Sequence, residues 1–286
     1  MPKAWLDPER GFLNKWEMYK ALKDENIGPC KLPVTEPFNI SALQHMLNRY
    51  PSIYVKPAGT WGGRGISRID IKNDAFLWTL QTALQGNSLQ MFESISDLYH
   101  ALQLAYQDQF CIVQQAAPLV AYEGRPFDIR VHMQRETDEN WAYSGSLVRV
   151  SGTSAIVSNV EISEGSVLPV EQAAAKVLQY KTPKIRRLKK SLEQTGFHIC
   201  RLLDSYRIFN EIGIDLGIDP NGQLWLIEVN TDDAICGPSH DLFAKLEDKT
   251  MYNLIQQRYN NRQLQKTKWL FQLLFADPDA NENKTP

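Results

Sequence analysis

The sequence predicts an α+β fold arranged in two lobes. Segments with helical spacing and segments with strand alternation mix without a regular βαβ order, which argues against a doubly wound parallel sheet. The length of 286 residues amounts to roughly two domains at about 150 residues each. Hydrophobic residues at 43% and charged residues at 22% describe an ordinary globular chain with enough length to bury a sizeable core.

Taken in order, residues 14–26 carry Trp16, Tyr19 and Leu22 at helical spacing, and Gly28-Pro29 stops that helix. Pro33, Pro37 and Asn39 mark a loop, and residues 41–50 form a short helix capped by Ser41. Residues 52–57 form a strand that enters the glycine loop 58–65, and residues 66–71 resume as a strand. A helix over 94–106 and a short strand over 110–114 follow, then paired strands over 128–134 and 141–150. Residues 169–178 and 183–210 are helical, 212–218 and 224–229 are strands, and 242–275 is mostly helical. This divides the chain into an N-terminal helical segment (1–50), a small lobe (51–115), a large lobe (116–275) and a polar, frayed tail (276–286).

Several classes are excluded. Lys+Arg 31 against Asp+Glu 33 leaves a net charge of −2, where a general nucleic-acid binder carries a basic excess. No apolar run approaches the ~20 residues needed to span a bilayer, and the N-terminus has no apolar signal core. Cys30, Cys111, Cys200 and Cys236 form no CxxC pair, so a reducing interior and a cytoplasmic location fit best.

Two stretches carry chemistry. Gly59, Gly62, Gly63 and Gly65 lie between two strands, where backbone N–H groups can approach and cradle phosphate oxygens. Lys56, at the end of the incoming strand, is in position to meet the same anion. Neither a Walker A motif nor a dinucleotide fingerprint fits, because the element that follows is a strand. The bland alternative is a flexible hairpin turn.

The second stretch is the hairpin around Asn221-Gly222, the preferred central pair of a two-residue type I′ turn. That turn sets Pro220 opposite Gln223, Asp215 opposite Glu228 and Gly213 opposite Asn230. Residues 211, 213, 215, 217 and 219 then share one face, and Ile212, Ile214, Leu216 and Ile218 share the other. Two carboxylates directly opposite repel, and a divalent cation between them reverses the sign. Asp, Glu and Asn offer only oxygen ligands, which suits Mg²⁺. The alternative is a solvated polar face without metal; a turn of different length would break the pairing and bring Asp219 into consideration as the ligand. Phosphate loop and carboxylates together point to a nucleoside triphosphate.

With these residues in view, the sequence resembles the ATP-grasp superfamily. The resemblance rests on Leu13-Asn14-Lys15-Trp16, Lys31-Leu32-Pro33-Val34-Thr35, Tyr54-Val55-Lys56-Pro57 with the glycine loop, Val113-Gln114-Gln115, Phe127-Asp128-Ile129-Arg130, Ser158-Asn159-Val160, Ile214-Asp215 and Ile227-Glu228-Val229-Asn230, in that order. Within the superfamily the chain is most similar to the endospore coat-associated proteins of spore-forming bacilli.

The resemblance implies two lobes holding ATP and Mg²⁺ between them. It gives Lys15 and Lys56 the α/β-phosphates, and Gly62, Gly63 and Gly65 the loop that closes over them. It gives the backbone of Gln114 and Gln115 the adenine, Asp128 the ribose, and Ile227 a packing contact on adenine. Arg130, joined by Arg149, falls near the γ-phosphate, and Asp215, Glu228 and Asn230 fall on the metal. With Lys56, these arginines are the expected catalytic groups. The implied chemistry is a carboxylate–amine or carboxylate–thiol ligation through an acyl-phosphate. The implied partners are a carboxylate substrate or a protein or peptide acceptor, and spore-coat proteins. A non-catalytic scaffold of the spore coat is the rival, and a kinase-like phosphotransferase a third reading.

The chain departs from the family in three ways. The Lys15 motif begins close to Met1, so the usual N-terminal α/β domain is expected to be missing from this sequence or supplied by a partner. Residues 231–237 lack the usual Pro-Gly, and Trp61 is bulky for a closing loop. Elsewhere, Lys181, Lys184, Arg186, Arg187, Lys189 and Lys190 read as a solvated helix face, or as a surface for an acidic partner. His132, on the same strand face as Arg130, reads as a satisfied structural histidine rather than a catalytic base, and Cys236, after the metal-ligand strand, does not by itself point to nucleophilic chemistry.

Overall fold

The computed structural model describes residues 13–60, 65–82, 86–107, 109–152, 165–231 and 238–275. Its elements are α+β, with helices packed on two separate sheets.

One sheet has six strands. They are β2 (Thr35–Pro37), β3 (Ser52–Pro57), β4 (Ile66–Lys72), β5 (Ala75–Thr82), β6 (Gly86–Phe92) and β7 (Cys111–Gln115), in the spatial order β2-β7-β3-β4-β5-β6. Strands β3 and β4 pair antiparallel across the glycine loop, with Ile53 opposite Ile69 and Val55 opposite Ser67. Ile53, Val55, Ile69 and Val113 pack into a core with Leu43, Met46 and Leu47 of α2 (Ile40–Arg49) and Leu98 and Leu102 of α3 (Ile95–Tyr106). Asn39, not Ser41, caps α2, its side chain accepting from the Ala42 N–H at 2.9 Å. Both β2 and α2 belong to this sheet and its core, so its elements begin well before residue 51. Strands β5 and β6 occupy a stretch with no sequence assignment.

The other sheet has seven strands. β1 (Cys30–Lys31), β13 (Leu224–Thr231), β12 (Glu211–Ile218), β9 (Arg125–Arg135), β10 (Trp141–Val150) and β11 (Ser166–Pro169) follow in that spatial order, and β8 (Ala121–Tyr122) pairs with the start of β9. One face carries Ile129, Val131, Met133, Ile212, Ile214, Leu216 and Ile218 into the larger core. That core is closed by α1 (Lys15–Leu22), α4 (Val170–Val177) and α5 (Thr182–Leu203). Helix α5 buries Leu188, Leu192, Ile199 and Leu203 and exposes Lys184, Arg186, Arg187, Lys189 and Lys190, the solvated face its spacing predicts. It ends at Leu203, seven residues short of the sequence expectation. Against the other face lie α6 (Asp241–Ala244) and α7 (Thr250–Phe275), packed on Leu147 through Leu242, Phe243, Leu246 and Ile255.

The hairpin β12–β13 departs from the two-residue turn. The Asp219 N–H donates to the Gln223 carbonyl at 3.0 Å, so three residues, Pro220-Asn221-Gly222, make the loop. Asp219 Oδ1 accepts from the N–H groups of Asn221 (2.9 Å) and Gln223 (3.0 Å), and Gly222 sits at φ +84°. This is a type I turn closed by a left-handed glycine. A Cβ at Gly222 would also lie 2.2 Å from the Tyr180 hydroxyl.

The longer turn slides the ladder by one residue, giving Ile218 opposite Leu224 and Leu216 opposite Leu226. A bulge then takes up Ile227, and beyond it Asp215 faces Glu228 and Gly213 faces Asn230. The expected pairs at 215 and 213 therefore form, although the turn behind them differs. The bulge also switches which side chains point inward: Leu224 and Leu226 before it, Val229 after it.

Among the described residues no helix is long and apolar enough to cross a membrane.

Candidate functional site

A crevice partly open to solvent lies where α1, β3 and β7 face β13. Helix α1 begins at Asn14, whose side chain accepts from the N–H groups of Trp16 (3.1 Å) and Glu17 (3.0 Å). The Lys15 N–H donates to the Ala58 carbonyl at 3.1 Å, which ties the helix start to the base of the glycine loop. Lys15, Met18, Tyr19 and Leu22 recur at helical spacing and line the crevice as one face. Only Lys15 among them is anticipated as a site residue, although the same periodicity names the other three.

Three charged side chains, Lys15, Lys56 and Glu228, cluster on the crevice wall. The Lys15 ammonium lies 3.2 Å from Glu228 Oε1 and also donates to the Thr60 carbonyl, a partner that no motif announces. Lys56 is 8% exposed. Its ammonium donates to Gln114 Oε1 at 2.8 Å and sits 4.9 Å from the Tyr54 ring centroid. Burial pushes the Lys56 pKa down from 10.5 to about 8; Glu228 opposes that fall and Lys15 reinforces it. Gln114 Nε2 donates in turn to Thr35 Oγ1 at 2.9 Å, which fixes the amide oxygen toward Lys56. The remaining walls are largely apolar, formed by Leu13, Met18, Leu22, Leu32, Ile112, Leu226 and Ile227.

Six of the expected site residues thus converge: Lys15, Lys56, Gln114, Ile227, Glu228 and Asn230. Gln115 is not among the lining residues; its N–H donates to the Val34 carbonyl at 2.8 Å and its Oε1 accepts from the Val34 N–H at 3.2 Å. Gly65 stands at φ +66° where the chain enters β4, its carbonyl 2.9 Å from the Tyr106 hydroxyl. Gly62, Gly63, Trp61, the 158–160 motif and Cys236 lie outside the described residues.

Arg130, Arg149, Asp128 and Asp215 form a separate, adjoining network rather than crevice walls. The ladder sets Arg149 opposite Asp128 and Asp215 opposite Arg130. Arg149 donates to Asp128 through Nε at 2.7 Å and Nη2 at 2.6 Å, and Nη2 lies 2.7 Å from Asp215 Oδ2. Arg130 grips Asp215 through Nε (2.5 Å) and Nη2 (3.2 Å). Asn230 Nδ2 donates to Asp215 Oδ2 at 3.2 Å and joins this network to the crevice.

Asp215 is 3% exposed, so its face is not solvated. Burial opposes its charge, but Arg130 and Arg149 prevail and hold its pKa below the usual carboxylate value. Burial likewise opposes the Arg149 charge, and Asp128 and Asp215 more than offset it. The repulsion between Asp215 and Glu228 is therefore answered by the chain's own cations: two guanidiniums on one carboxylate and the Lys15 ammonium on the other. Asp219, the alternative ligand, spends Oδ1 on the turn and accepts at Oδ2 from Trp225 Nε1 at 3.2 Å.

The donor set suits a hard divalent cation at Glu228 and Asn230, both offering oxygen beside the two ammoniums. Asp215 already engages both oxygens and would join only by giving up a guanidinium contact.

The endospore coat-associated protein YheD of Bacillus subtilis (strain 168) is 29% identical over 230 residues, which is 77% of this chain. The chain spans about half of that relative, 48% of its length. Among solved structures, the C-terminal domain of K. lactis Pby1, described as an ATP-grasp enzyme interacting with the mRNA decapping enzyme Dcp2, matches 78% of this chain and 62% of its own at 14% identity and a TM-score of 0.42. The profile of YheC/D like ATP-grasp matches residues 4–261, a span that takes in both sheets and every wall of the crevice, and the chain belongs to that ATP-grasp family.

Proposed function

We propose that this chain binds ATP in the crevice and uses it, with Mg²⁺, to activate a carboxylate in an endospore coat-associated setting. The observation that carries the proposal is the lining of the crevice: apolar side chains for a base, and a cluster of two ammoniums, a carboxylate and an amide for a metal-chelated polyphosphate. The relative's coat association supports the setting.

In this reading Lys15 and Lys56 take the phosphates, and Ile227 packs on the base. Lys56 is held ready by Gln114 and Tyr54. Bringing a polyanion beside it restores the favourable environment that burial removes, so its charge is better placed with ligand than without. Glu228 and Asn230 hold the metal, which when bound neutralises phosphate charge. A carboxylate oxygen of the acceptor attacks the γ-phosphate and ADP leaves. An amine or thiol then attacks the acyl carbon and phosphate leaves. The chain's part is positioning and charge neutralisation. Arg130 and Arg149 reach the γ-phosphate by exchanging Asp215 and Asp128 for phosphate oxygens.

A second reading, ATP binding without turnover in a coat scaffold, is favoured by one observation. Asp215 and both arginines are already mutually satisfied, so nothing in the network calls for a ligand.

The test is calorimetric titration with a non-hydrolysable ATP analogue, with and without Mg²⁺, on wild type, Lys56→Ala and Glu228→Gln. Mg²⁺-dependent binding that both substitutions weaken supports the nucleotide site. Absence of binding to the wild type overturns it. Acceptor-dependent ADP release then separates ligase from scaffold.

A further inference from the structure

On the polar face of the seven-stranded sheet, two residues along β9 from Arg130, lies His132. It is 0% exposed, and among the described residues neither ring nitrogen has a hydrogen-bond partner. The expectation of a satisfied structural histidine is met only by a long approach of Nε2 to Glu211, with Nδ1 left unpaired among the described residues. A buried polar group without a partner is uncommon and asks for an explanation.

Beside it stand Glu211 at the start of β12 and His240 at the entry to α6. His132 Nε2 is 3.5 Å from Glu211 Oε2, and His240 Nε2 is 2.6 Å from the same oxygen. One donor atom from each of the three residues lies within 4.8 Å of the others. We propose that His132, Glu211 and His240 form a binding site for a first-row divalent cation, zinc foremost, that fastens the C-terminal helices to the sheet.

Chemistry and geometry both support this. Two imidazoles and one carboxylate are a known zinc donor set, leaving a fourth position for water. Tetrahedral bonds of about 2.0–2.1 Å place donors about 3.4 Å apart. The His132–Glu211 spacing already matches, the His240–Glu211 contact has to open by less than about 1 Å once a cation replaces the proton between them, and the His132–His240 pair, within 4.8 Å, has to close by up to about 1.4 Å.

The surroundings supply the outer partners a metal site needs. Gln134 Nε2 donates to Glu211 Oε1 at 3.0 Å and steadies the carboxylate. The Gln256 amide lies 3.2 Å from His240 Nδ1. When His240 Nε2 takes the cation, its proton moves to Nδ1, and the amide turns its oxygen there to accept. Phe243 meets the His132 ring edge-on at 5.6 Å between centroids and shields the site. The three ligands come from β9, β12 and the α6 entry, so a bound cation adds coordinate bonds to the His240–Glu211 hydrogen bond and the Phe243–His132 ring contact that already join this entry to the two strands.

The test is a Co²⁺ titration of EDTA-treated full chain, read by the visible absorption of tetrahedral Co²⁺ and by Zn²⁺ displacement. A parallel thermal melt is run with and without one equivalent of Zn²⁺. One cobalt per chain, displaced by zinc, with a rise in Tm, is the expected result. His240→Ala, at the exposed edge of the cluster, should weaken binding by more than about 100-fold, since outer partners alone carry about 10–100-fold, and should abolish the Tm rise. Glu228→Gln should leave both unchanged, which separates this site from the crevice. No stoichiometric uptake by the wild type overturns the proposal, as does uptake that survives His240→Ala.

Discussion

Replacing Lys56 by Met should make the ligand-free protein more stable while removing nucleotide affinity. Lys56 carries its proton at neutral pH in both folded and unfolded chain, but in the folded chain burial lowers its pKa from 10.5 to about 8. At 1.36 kcal/mol per pH unit that gap is a cost of about 3 kcal/mol, borne in full below pH 8. Methionine fills a similar volume without the charge. It leaves Gln114 Oε1 without its donor, which costs about 1–2 kcal/mol. The net gain at pH 7 is about 1–2 kcal/mol on those figures.

The pH dependence gives the sharper check. Between about pH 8 and pH 10.5 the unfolded chain holds more protons at this position than the folded chain, so wild-type stability gains from rising pH there. The advantage of Lys56→Met should shrink across that window, vanish at about pH 9–10 and reverse by its top, where only the lost Gln114 contact remains. Urea denaturation of both proteins at pH 7 and pH 10, with analogue titration alongside, measures it. A variant less stable than wild type at pH 7, or a gain that does not change with pH, would refute the account of Lys56 as a buried charge awaiting an anion.

Three further expectations follow from the geometry. Lys15→Ala removes a partly buried ion pair with Glu228 and the donor to the Thr60 carbonyl, so stability by urea denaturation should fall by about 1 kcal/mol, while calorimetric affinity for the ATP analogue falls at least about tenfold, or 1.4 kcal/mol. Asp215→Asn leaves two buried guanidiniums without their shared carboxylate and should cost about 3–5 kcal/mol in urea denaturation. Gly145→Ala places a Cβ 2.6 Å from Met251 Sδ at a backbone φ of +150°, and should lower stability by about 1–3 kcal/mol in the same assay.

The hairpin shows what sequence reading reaches. Asp215 opposite Glu228 follows from a two-residue turn at Asn221-Gly222, yet the turn has three residues and the pairing survives because the bulge at Ile227 restores the frame. Asn221-Gly222 serves a type I turn with a left-handed glycine as readily as type I′, so the dipeptide alone does not choose. Strands that follow tight local signals, β3 and β10 among them, appear at their expected bounds.

The partners of Arg130 and Arg149 were not legible for a different reason. Arg130 meets Asp215 only because β9 and β12 pair across some eighty positions of chain, with no turn between them to set the register. The α1 face was legible, since Met18 and Leu22 stand at the spacing that makes a helix one-sided. The surroundings of His132 were not legible, because spacing places a side chain on a face and says nothing of what meets it there.

Ile227 is a residue the hairpin could do without. Excise it and the three-residue turn still sets Leu226 against Leu216, and the shortened strand runs on to bring Glu228 against Asp215 and Val229 into the core with no irregularity. Every other bulge-free pairing would be kept; the loss would fall on the crevice, which would forfeit one side chain of its apolar wall. A single-codon deletion is thus a cleaner subtraction than any substitution at this position. It separates the frame that carries the carboxylates from the surface that meets a base, two roles that point mutations along β13 would otherwise blur.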